Sequence, residues 1–404
     1  MNVSFFPSVA AGTVEVPPSK SIAHRALIAA AFAEGQSIVE NLILSEDILA
    51  TVDCLRALGA EIILERNTAI VNGVDPHRIP DRAVLPCRES GSTLRFLIPF
   101  ALTTDKQFSF TGSPRLFSRP LGIYEDICRN QGLLFLRGDD CLSVRGILIP
   151  GKYQIPGDVS SQFVSGLFFA LPFLEGDSEI EILPPVESVP YLNLSLQMLA
   201  RCGIHIIREK NCFLIRGGQH FSPLCFRVEG DWTNAAYLSA LGLKTDSVHV
   251  TGLDDGSVQG DRIYPHFFNE LLEDAPVLDL SDHPDLGPVL FVLAATLHGC
   301  VFTGIKRLRL KESDRIASMA EELRKFGARL IAEADTVTIL PAPLHTPDSV
   351  ISGHGDHRVV MALSVLTSAF GGTIQGFEAV KKSFPGYYDV LRQLGIQCSV
   401  IDET

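Results

Sequence analysis

The sequence predicts an α/β protein of two domains, each built from three repeated units around a buried helix. The first observation is length, because 404 residues exceed what a single ordinary hydrophobic core holds. The second is a polar cluster followed by an apolar helix, which occurs six times along the chain. The third is an amphipathic helix that ends in glycine and follows most of these clusters.

Composition narrows the classes of function. A hydrophobic content of 46% and a charged content of 20% are typical of a folded globular chain. The net charge of −13 argues against nucleic acid or an acidic membrane as a partner, since both need a basic protein face. A small anionic substrate needs only a local cationic pocket, so this class stays open.

The cysteines and the N-terminal segment predict a cytoplasmic protein. Nine cysteines lie scattered without a CxxC pair, which indicates reduced, buried thiols and no zinc site. The N-terminus lacks the pattern of a signal peptide. No uncharged apolar stretch reaches the roughly 18 residues that suggest a membrane-spanning helix.

The six polar clusters recur at intervals of about 70 residues, with one shorter step between the fourth and the fifth. The first is "VPPSKSIAHR", residues 16–25, which runs directly into an apolar segment. A helix that is apolar on all sides is buried in the middle of a domain. The other clusters are "ESGSTLRFLIPFAL" from Glu89, "GDVSSQFVSGLFFALPFL" from Gly157, "EGDWTNAAYLSALGL" from Glu229, "DHPDLGPVLFVLAATL" from Asp282 and "GDHRVVMALSVLTSAF" from Gly355.

A glycine ends the amphipathic helix in every unit but the fourth. Glycine at this position suits a left-handed helix C-terminus. The glycines are Gly59, Gly132, Gly203, Gly327 and Gly395. The fourth unit has "HFFNELLEDAPVL" instead, which indicates an abbreviated copy. Two sets of three units place the break near residue 228, and the strand before the prolines is left to pair with the C-terminal half. The predicted domains are residues 1–17 with 229–404, and residues 18–228.

The charges at these helix starts predict anion binding. Helix N-termini present free N–H groups and a partial positive charge. Lys20 and Arg25 oppose that dipole unless an anion lies between, and the same holds for His357 and Arg358. The alternative is that serines such as Ser19 and Ser92 are ordinary N-caps.

Two further stretches are candidate binding segments. In "RLRLKESDRI", Lys311 and Arg315 are spaced i,i+4 and therefore share a helix face, with Glu312 beside them. The alternative is a solvated, salt-bridged helix start. The arginines of "GSPRLFSRPLG", residues 112–122, belong either to a site or to a surface loop. His354, Asp356 and His357 could bind a cation, but the neighbouring Arg358 argues against a metal.

At these residues the chain resembles the enolpyruvyl transferases, and within them the branch that uses shikimate 3-phosphate as acceptor. The resemblance runs nearly end to end. Its motifs, in order, are "PPSKSIAHR", "ESGSTLR", "GSPRLFSRPLG", "GDVSSQF", "VEGDWTNAAY", "HPDLGP" with "LKESDRI", and "GDHRVVMA" with "KKSFPGYY". Together these motifs are highly specific, although each alone is not.

The resemblance implies a fold, a reaction and partners. The fold is two inside-out α/β domains, each of three βαβαββ units around buried parallel helices, with the active site in the interdomain cleft. The reaction transfers the enolpyruvyl group of phosphoenolpyruvate to the 5-hydroxyl of shikimate 3-phosphate and releases phosphate. The expected partners are these two small molecules, with no nucleic acid, no membrane, no metal and no organic cofactor. A monomer is the expected state.

The resemblance also assigns residues. The shikimate 3-phosphate contacts are Lys20, Ser21, Arg25, Ser160, Ser161, Gln162, Ser188, Asp285 and Lys311, with Tyr191 close by. The phosphoenolpyruvate contacts are Lys20, Gly91, Ser92, Arg119, Gln162, Arg315, Arg358 and Lys382. Asp285 is expected to be the base at the 5-hydroxyl and Glu312 the acid at the methylene, with Lys20 as rival for that role. Lys311 is expected between the two substrates.

The chain departs from the family pattern at three positions. Arg88 stands where many relatives have glycine, so an extra cation is expected near the phosphoenolpyruvate loop. Glu89 and Ala23 also differ from the residues that the family usually has.

A sister transferase acting on UDP-N-acetylglucosamine normally has a Lys-Asn pair in the first motif and a loop cysteine, and this chain has neither. A non-catalytic anion-binding protein would lack Asp285, Glu312 or Lys20. An RNA-end-processing enzyme would need a nucleotide site and a basic surface.

Overall fold

A computed structural model describes residues 1–74 and 79–401. The chain divides into two compact units. The terminal unit comprises Met1–Pro17 and Gly230–Thr404, and the central unit comprises Pro18–Glu229.

Helices and strands are interspersed along both units. The α-helices are α1 (Lys20–Phe32), α2 (Glu46–Ala57), α3 (Gly91–Ala101), α4 (Pro114–Ser118), α5 (Gly122–Gln131), α6 (Ser161–Ala170), α7 (Val189–Arg201), α8 (Trp232–Leu241), α9 (Tyr264–Glu273), α10 (Gly287–Thr296), α11 (Arg315–Arg324), α12 (His357–Phe370) and α13 (Tyr387–Gln393). The strands are β1 (Asn2–Phe5), β2 (Gly12–Glu15), β3 (Gln36–Glu40), β4 (Glu61–Glu65), β5 (Thr68–Asn72), β6 (Arg82–Arg88), β7 (Gln107–Gly112), β8 (Leu134–Arg137), β9 (Cys141–Arg145), β10 (Lys152–Pro156), β11 (Ser178–Leu183), β12 (Ile206–Glu209), β13 (Cys212–Ile215), β14 (Cys225–Arg227), β15 (Val248–Thr251), β16 (Val277–Asp279), β17 (Cys300–Thr303), β18 (Arg329–Ala332), β19 (Thr336–Leu340), β20 (Ile351–Ser352), β21 (Gly372–Gln375) and β22 (Cys398–Ile401).

The described strands form one small sheet per repeat. Five sheets have four strands and one has two. In the sheet β6-β7-β9-β8, for example, β6 and β7 are parallel, whereas β9 is antiparallel to both of its neighbours. With α3 after β6 and α5 after β7, this is a βαβαββ unit. The predicted α/β class and its repeated units are confirmed.

Strands from outside a repeat complete three of the sheets. β14 lies parallel to β3 and supplies the edge of the first sheet in the central unit. β1 lies antiparallel between β21 and β22 in the terminal unit. β2 pairs with β15 to make the two-stranded sheet. The strand before the two prolines therefore pairs within the C-terminal half, as the repeat pattern predicts, and the shortened fourth unit has the small sheet.

The buried helices start at the predicted polar clusters. All residues of α10 except Thr296 are buried, and all residues of α1 except Lys20 and Ser21 are buried. The first turns of α1, α3, α6, α8, α10 and α12 coincide with the six clusters. Because such helices have no solvated face, their exposed polar chemistry is confined to their ends.

The predicted glycine helix ends are confirmed. The φ angles are 105° at Gly59, 70° at Gly132, 81° at Gly203, 89° at Gly327 and 84° at Gly395. Glycine adopts these angles without the steric cost that a Cβ brings.

The expectation of buried thiols is wrong for part of the set. All nine cysteines are free, but Cys141 and Cys225 are exposed, and Cys212 and Cys398 are half-buried. These four lie on strands whose outer faces meet solvent, which an odd count of cysteines does not reveal. In the described part of the chain, no helix is long and apolar enough to span a membrane.

Gly132→Ala tests the left-handed helix end. A Cβ at Gly132 meets nothing within 4 Å, so the cost comes from its φ of 70° alone. We expect a loss of about 1–2 kcal/mol in the free energy of unfolding in urea. Gly122→Ala is the matched control at the other end of α5, where the new Cβ also meets nothing within 4 Å and φ is not positive. Equal effects of the two substitutions would contradict this account.

Candidate active site

The start of α1 holds the first cation of the central unit. Nζ of Lys20, the first residue of α1, donates to Oδ2 of Asp47 on α2 at 2.8 Å. Their side chains are only 13% and 12% exposed. Ser19 precedes the helix but its hydroxyl makes no capping bond, so the ordinary N-cap alternative fails for this residue. The cluster thus presents a nearly buried ammonium group at a helix N-terminus.

Arg25 lies one turn further along α1 and is 3% exposed. Its guanidinium donates to the carbonyl of Ser21 at 2.7 Å, the carbonyl of Tyr191 at 3.1 Å and Oγ of Ser195 at 2.8 Å. Burial lowers the pKa of Arg25 to about 10, so the group stays charged at neutral pH. Ser188, directly before α7, has a left-handed φ of 58° and is 2% exposed.

Gln162 links the starts of α3 and α6. Its Nε2 donates to Oγ of Ser92 at 2.9 Å, and its Oε1 accepts from Nη1 of Arg95 at 2.6 Å. Ser160 caps α6 by accepting from the backbone N–H of Gln162, and Ser161 is the first residue of that helix. Two predicted clusters are therefore joined through a single amide side chain.

Arg119 packs against the start of α3. A Cβ added at Gly91 would lie 2.6 Å from Nη1 of Arg119, so only glycine leaves the guanidinium where it is. The cap of α3 is Ser90, whose side chain accepts from the N–H of Thr93, and Ser92 is not the cap. The segment "GSPRLFSRPLG" therefore brings a cation to a helix N-terminus and is more than a surface loop.

Arg88 does not add an unpaired charge here. Its Nη2 lies 2.6 Å from Oδ2 of Asp53, so the extra cation expected from the sequence is paired with a carboxylate. The φ of Arg88 is 53°, a conformation that glycine adopts at lower cost.

Arg315 is the centre of the terminal unit's site and is 1% exposed. Its Nε donates to Asp356 at 2.8 Å, its Nη1 to Asp285 at 2.8 Å and its Nη2 to Glu312 at 2.9 Å. Burial alone would lower the pKa of Arg315, but the carboxylates of Asp356, Glu312 and Asp285 hold it well above its ordinary value. A single guanidinium thus fixes three acids.

Asp285 lies in the turn Pro284–Leu286 before α10. Its carbonyl accepts from the hydroxyl of Tyr237 at 2.9 Å, and its Oδ1 also lies 3.3 Å from Nζ of Lys311. Burial would raise the pKa of Asp285, but Lys311, Arg315 and Arg358 hold it well below its ordinary value. Burial lowers the pKa of Lys311, and the nearby Asp285 opposes that effect.

Arg358 lies at the start of α12 and is 3% exposed. Its Nη1 donates to Oδ1 of Asn234 at 2.8 Å, and its guanidinium lies 5.3 Å from the centroid of the Tyr237 ring. Nε of Arg358 and Nδ2 of Asn234 have no hydrogen-bond partner among the described residues. Lys382 donates to the carbonyl of Gly355, which precedes the same helix. Buried donors without partners suit an anionic ligand.

The structure corrects one argument about spacing. Lys311 follows the short helical turn Lys306–Leu310, and α11 begins only at Arg315, so the two cations do not share a helix face. They converge instead on Asp285. Sequence reasoning gave no role to Asp47 or Asn234, and it considered Asp356 only as part of a cation site. Asp356 carried a signal, because an acid directly before a helix is a typical N-cap.

One group of side chains has metal-ligand chemistry. Ligand atoms of Glu321, Glu322 and His354 lie within 4.8 Å of one another. Glu322 already accepts from Lys325 at 2.8 Å, from the N–H of Ser352 at 3.0 Å and from His354 at 2.8 Å. A lysine in this position disfavours a cation, so the group fits a structural clamp on the turn before α12.

Comparisons with known proteins agree with one another. The profile of the family described as EPSP synthase (3-phosphoshikimate 1-carboxyvinyltransferase) matches residues 7–277 and 270–391. Proteins named 3-phosphoshikimate 1-carboxyvinyltransferase are 38% identical in Clostridium kluyveri, over 97% of both chains, and 37% identical in Clostridium novyi, over 100% of this chain and 98% of that protein. The solved EPSP synthase of Acinetobacter baumannii superposes with a TM-score of 0.78 at 23% identity, over 99% of this chain and 100% of that one. The enolpyruvyl transferase NikO of Streptomyces tendae gives 0.78 at 15% identity, over 98% of both chains.

Acid titration of stability tests the charge environment of Asp285. A lowered folded-state pKa means that ionised Asp285 stabilises the protein above its ordinary pKa of 3.8 and that this contribution disappears as pH falls through the lowered value. We expect Asp285→Asn to lower the free energy of unfolding by roughly 3 kcal/mol at pH 7, with the difference shrinking below pH 3.8. Asp126→Asn, on a carboxylate that is 66% exposed, is the control and should change the free energy of unfolding at pH 7 by less than about 1 kcal/mol. A pH-independent difference for Asp285→Asn would refute the assignment.

Proposed function

We propose that this chain, which belongs to the EPSP synthase family, transfers the enolpyruvyl group of phosphoenolpyruvate to the 5-hydroxyl of shikimate 3-phosphate. The products are 5-enolpyruvylshikimate 3-phosphate and inorganic phosphate. The reaction belongs to the shikimate pathway of aromatic amino-acid biosynthesis. A cytoplasmic monomer is the form in which we expect the protein to act.

The observation that supports this proposal most is the concentration of buried arginines in the first two turns of α1, α11 and α12. Arg25, Arg315 and Arg358 are each at most 3% exposed. The two substrates together bring two phosphates and two carboxylates. Helix N-termini and guanidinium groups in a water-poor environment are the groups that bind such anions most strongly.

The substrate contacts follow from the resemblance and fit the local geometry. We assign shikimate 3-phosphate to Lys20, Ser21, Arg25, Ser160, Ser161, Gln162, Ser188, Asp285 and Lys311. We assign phosphoenolpyruvate to Lys20, Gly91, Ser92, Arg119, Gln162, Arg315, Arg358 and Lys382. The support from geometry is that Ser92 and Gln162 are hydrogen-bonded, and that Arg119 lies directly against Gly91.

The chemistry needs one base and one acid. The 5-hydroxyl attacks the middle carbon of phosphoenolpyruvate while the methylene carbon gains a proton, and a tetrahedral ketal phosphate forms. Loss of phosphate and of a proton from the new methyl group then restores the carbon–carbon double bond and forms the enol ether of the product. Asp285 accepts the hydroxyl proton, and Glu312 delivers the proton to the methylene, with Lys20 as the rival donor. A positioned acid or base accelerates such a step by about 10²–10⁴-fold.

The low pKa of Asp285 has a consequence for how the base works. While Arg315 and Lys311 pair with it, the carboxylate is ionised but a weak base. Incoming phosphate and carboxylate groups compete for the same cations. Substrate binding therefore weakens the pairing of Asp285 and raises its affinity for the hydroxyl proton, which is the direction that base catalysis requires.

Phosphate release tests the proposed function. Wild type should release phosphate from phosphoenolpyruvate only when shikimate 3-phosphate is present. Asp285→Ala should lower kcat by about 10²–10⁴-fold, because it removes the base. Turnover with UDP-N-acetylglucosamine and none with shikimate 3-phosphate would assign the chain to the sister reaction. No phosphate release with either acceptor would indicate an anion-binding protein without this chemistry.

Gly91→Ala tests the phosphoenolpyruvate assignment. The new Cβ would lie 2.6 Å from Nη1 of Arg119 and so must displace the guanidinium. Because the displaced group is the cation assigned to phosphoenolpyruvate, we expect KM for phosphoenolpyruvate to rise roughly tenfold or more, with a smaller change for shikimate 3-phosphate. Gly122→Ala, whose Cβ meets nothing within 4 Å, is the control. An unchanged KM for phosphoenolpyruvate in Gly91→Ala would rule out this contact.

A further inference from the structure

Three amphipathic helices of the central unit share a feature that the site motifs do not explain. Each of α2, α5 and α7 places a buried hydroxyl against two of the buried helices α1, α3 and α6. The hydroxyls belong to Thr51, Tyr124 and Ser195, which are 0%, 2% and 0% exposed. Their contacts fall on the first two turns of the buried helices, next to the ends that carry the substrate-binding clusters.

Thr51 joins α1 to α3. Its Oγ1 lies 2.7 Å from Nδ1 of His24 and 2.7 Å from Oγ1 of Thr93. Thr93 donates its only hydroxyl proton to Oγ of Ser90, the cap of α3, so Thr51 is the donor at this short contact, in preference to the carbonyl of Asp47 on its own helix at 3.4 Å. Thr51 therefore accepts from Nδ1–H of His24. Burial, with Lys20 and Arg25 nearby, lowers the pKa of His24, which agrees with a neutral ring.

Tyr124 joins α3 to α6. Its hydroxyl lies 2.8 Å from the carbonyl of Arg95 and 2.9 Å from that of Phe163. Pro99 lies four residues after Arg95 and has no N–H, so the helix cannot pair the Arg95 carbonyl itself. The Tyr124 hydroxyl fills that vacancy. A Cβ at Gly166 of α6 would clash with the carbonyl of Arg95 and with the hydroxyl of Tyr124. The glycine therefore allows α6 to pack closely against α3.

Ser195 joins α6 to α1. Its Oγ donates to Oγ of Ser165 on α6 at 2.8 Å and accepts from Nε of Arg25 on α1 at 2.8 Å. With the two preceding bridges, the pairs α1–α3, α3–α6 and α6–α1 are each joined by one hydroxyl. The three bridges close a ring just below the helix ends.

We propose that Thr51, Tyr124 and Ser195 are positioning residues that fix the mutual spacing of the three substrate-binding helix ends. The proposal rests on the proposed function, because it deepens the assignment of substrates to those ends. Ser195 sets the guanidinium of Arg25, which is assigned to shikimate 3-phosphate. Tyr124 sets α3 against α6, and with them Ser92 and Gln162, on the phosphoenolpyruvate side. Thr51 sets the helix of Lys20 against the helix of Ser92, and so affects both substrates.

Single hydroxyl deletions test this assignment by the pattern of KM changes. Ser195→Ala should raise KM for shikimate 3-phosphate about tenfold and leave KM for phosphoenolpyruvate within about twofold. Tyr124→Phe should raise KM for phosphoenolpyruvate about tenfold and leave KM for shikimate 3-phosphate within about twofold. Thr51→Val should raise both KM values by roughly three- to tenfold, and Thr51→Ser should restore them. In each variant kcat should fall by less than KM rises, since no reacting group is removed.

Pairwise deletion tests whether the bridges act as a ring. Opening the ring at one bridge weakens the constraint that the next one maintains. The KM increase in Thr51→Val with Ser195→Ala should therefore be smaller than the product of the single effects. Multiplying effects would mean three independent contacts and would overturn the ring.

Thr367→Val is the matched control. Thr367 is 0% exposed like Thr51, but its hydroxyl bonds only to carbonyls of its own helix, α12. It should change stability without changing either KM. Similar KM changes in Thr367→Val and Thr51→Val would mean that the bridging hydroxyls act only through general packing, and would overturn the proposal.

A measurement without substrate separates this inference from the proposed function. Hydrogen exchange should accelerate at the first turns of α1 and α3 in Thr51→Val, and at those of α6 and α1 in Ser195→Ala. If wild type does not use shikimate 3-phosphate, the proposed function fails while accelerated exchange still supports the bridges. If wild type turns over shikimate 3-phosphate normally and the variants show neither faster exchange nor altered KM, the positioning role of the three hydroxyls is refuted while the proposed function stands.

Discussion

The full burial of six helices is the constraint from which the rest of this structure follows. A helix without a solvated face can expose polar groups only at its ends, so the polar clusters of the six buried helices lie at their starts. The same burial puts arginines such as Arg25 and Arg358 out of water, where they attract anions strongly. Anion binding is thus a consequence of how this fold hides its apolar surface, in a chain whose net charge is −13.

Charge balance explains how the terminal unit tolerates this arrangement without substrate. Arg315 is surrounded by Asp285, Glu312 and Asp356, and Lys311 adds a second cation to Asp285. Removing one partner of such a buried pair usually costs several kcal/mol, because a charge is left uncompensated. The acids to which we assign catalytic roles therefore also stabilise the protein without substrate. In our proposal, substrate anions take over part of the pairing with these cations and free a carboxylate for proton transfer.

The sequence predicted the features that repeat. Apolar runs after polar clusters located all six buried helices, and glycines such as Gly59 and Gly327 marked the helix ends, because local sterics determine both. The substrates were predicted through motifs whose residues lie close together along the chain. The i,i+4 argument for Lys311 and Arg315 was wrong, since the chain turns before α11 begins and periodicity does not reveal that turn.

Contacts between distant parts of the chain could not be predicted in the same way. Thr51 and Thr93 are in separate repeats, and nothing in their local patterns indicates that their hydroxyls meet. The Tyr124 hydroxyl on α5 donates to the carbonyl of Arg95 on α3. The residue four positions later in α3 is Pro99, which has no N–H to pair that carbonyl. Such bridges depend on the packing of helices against one another, so they emerge only from the three-dimensional structure.

The most direct test of the account is phosphorus NMR of the wild-type protein with phosphoenolpyruvate and shikimate 3-phosphate. The account predicts that the two substrate resonances decline together while inorganic phosphate and one new phosphomonoester grow in equal amounts. Phosphate that appears without a new phosphomonoester, or substrates that remain unchanged, would contradict the claim that these helix ends hold both substrates for enolpyruvyl transfer.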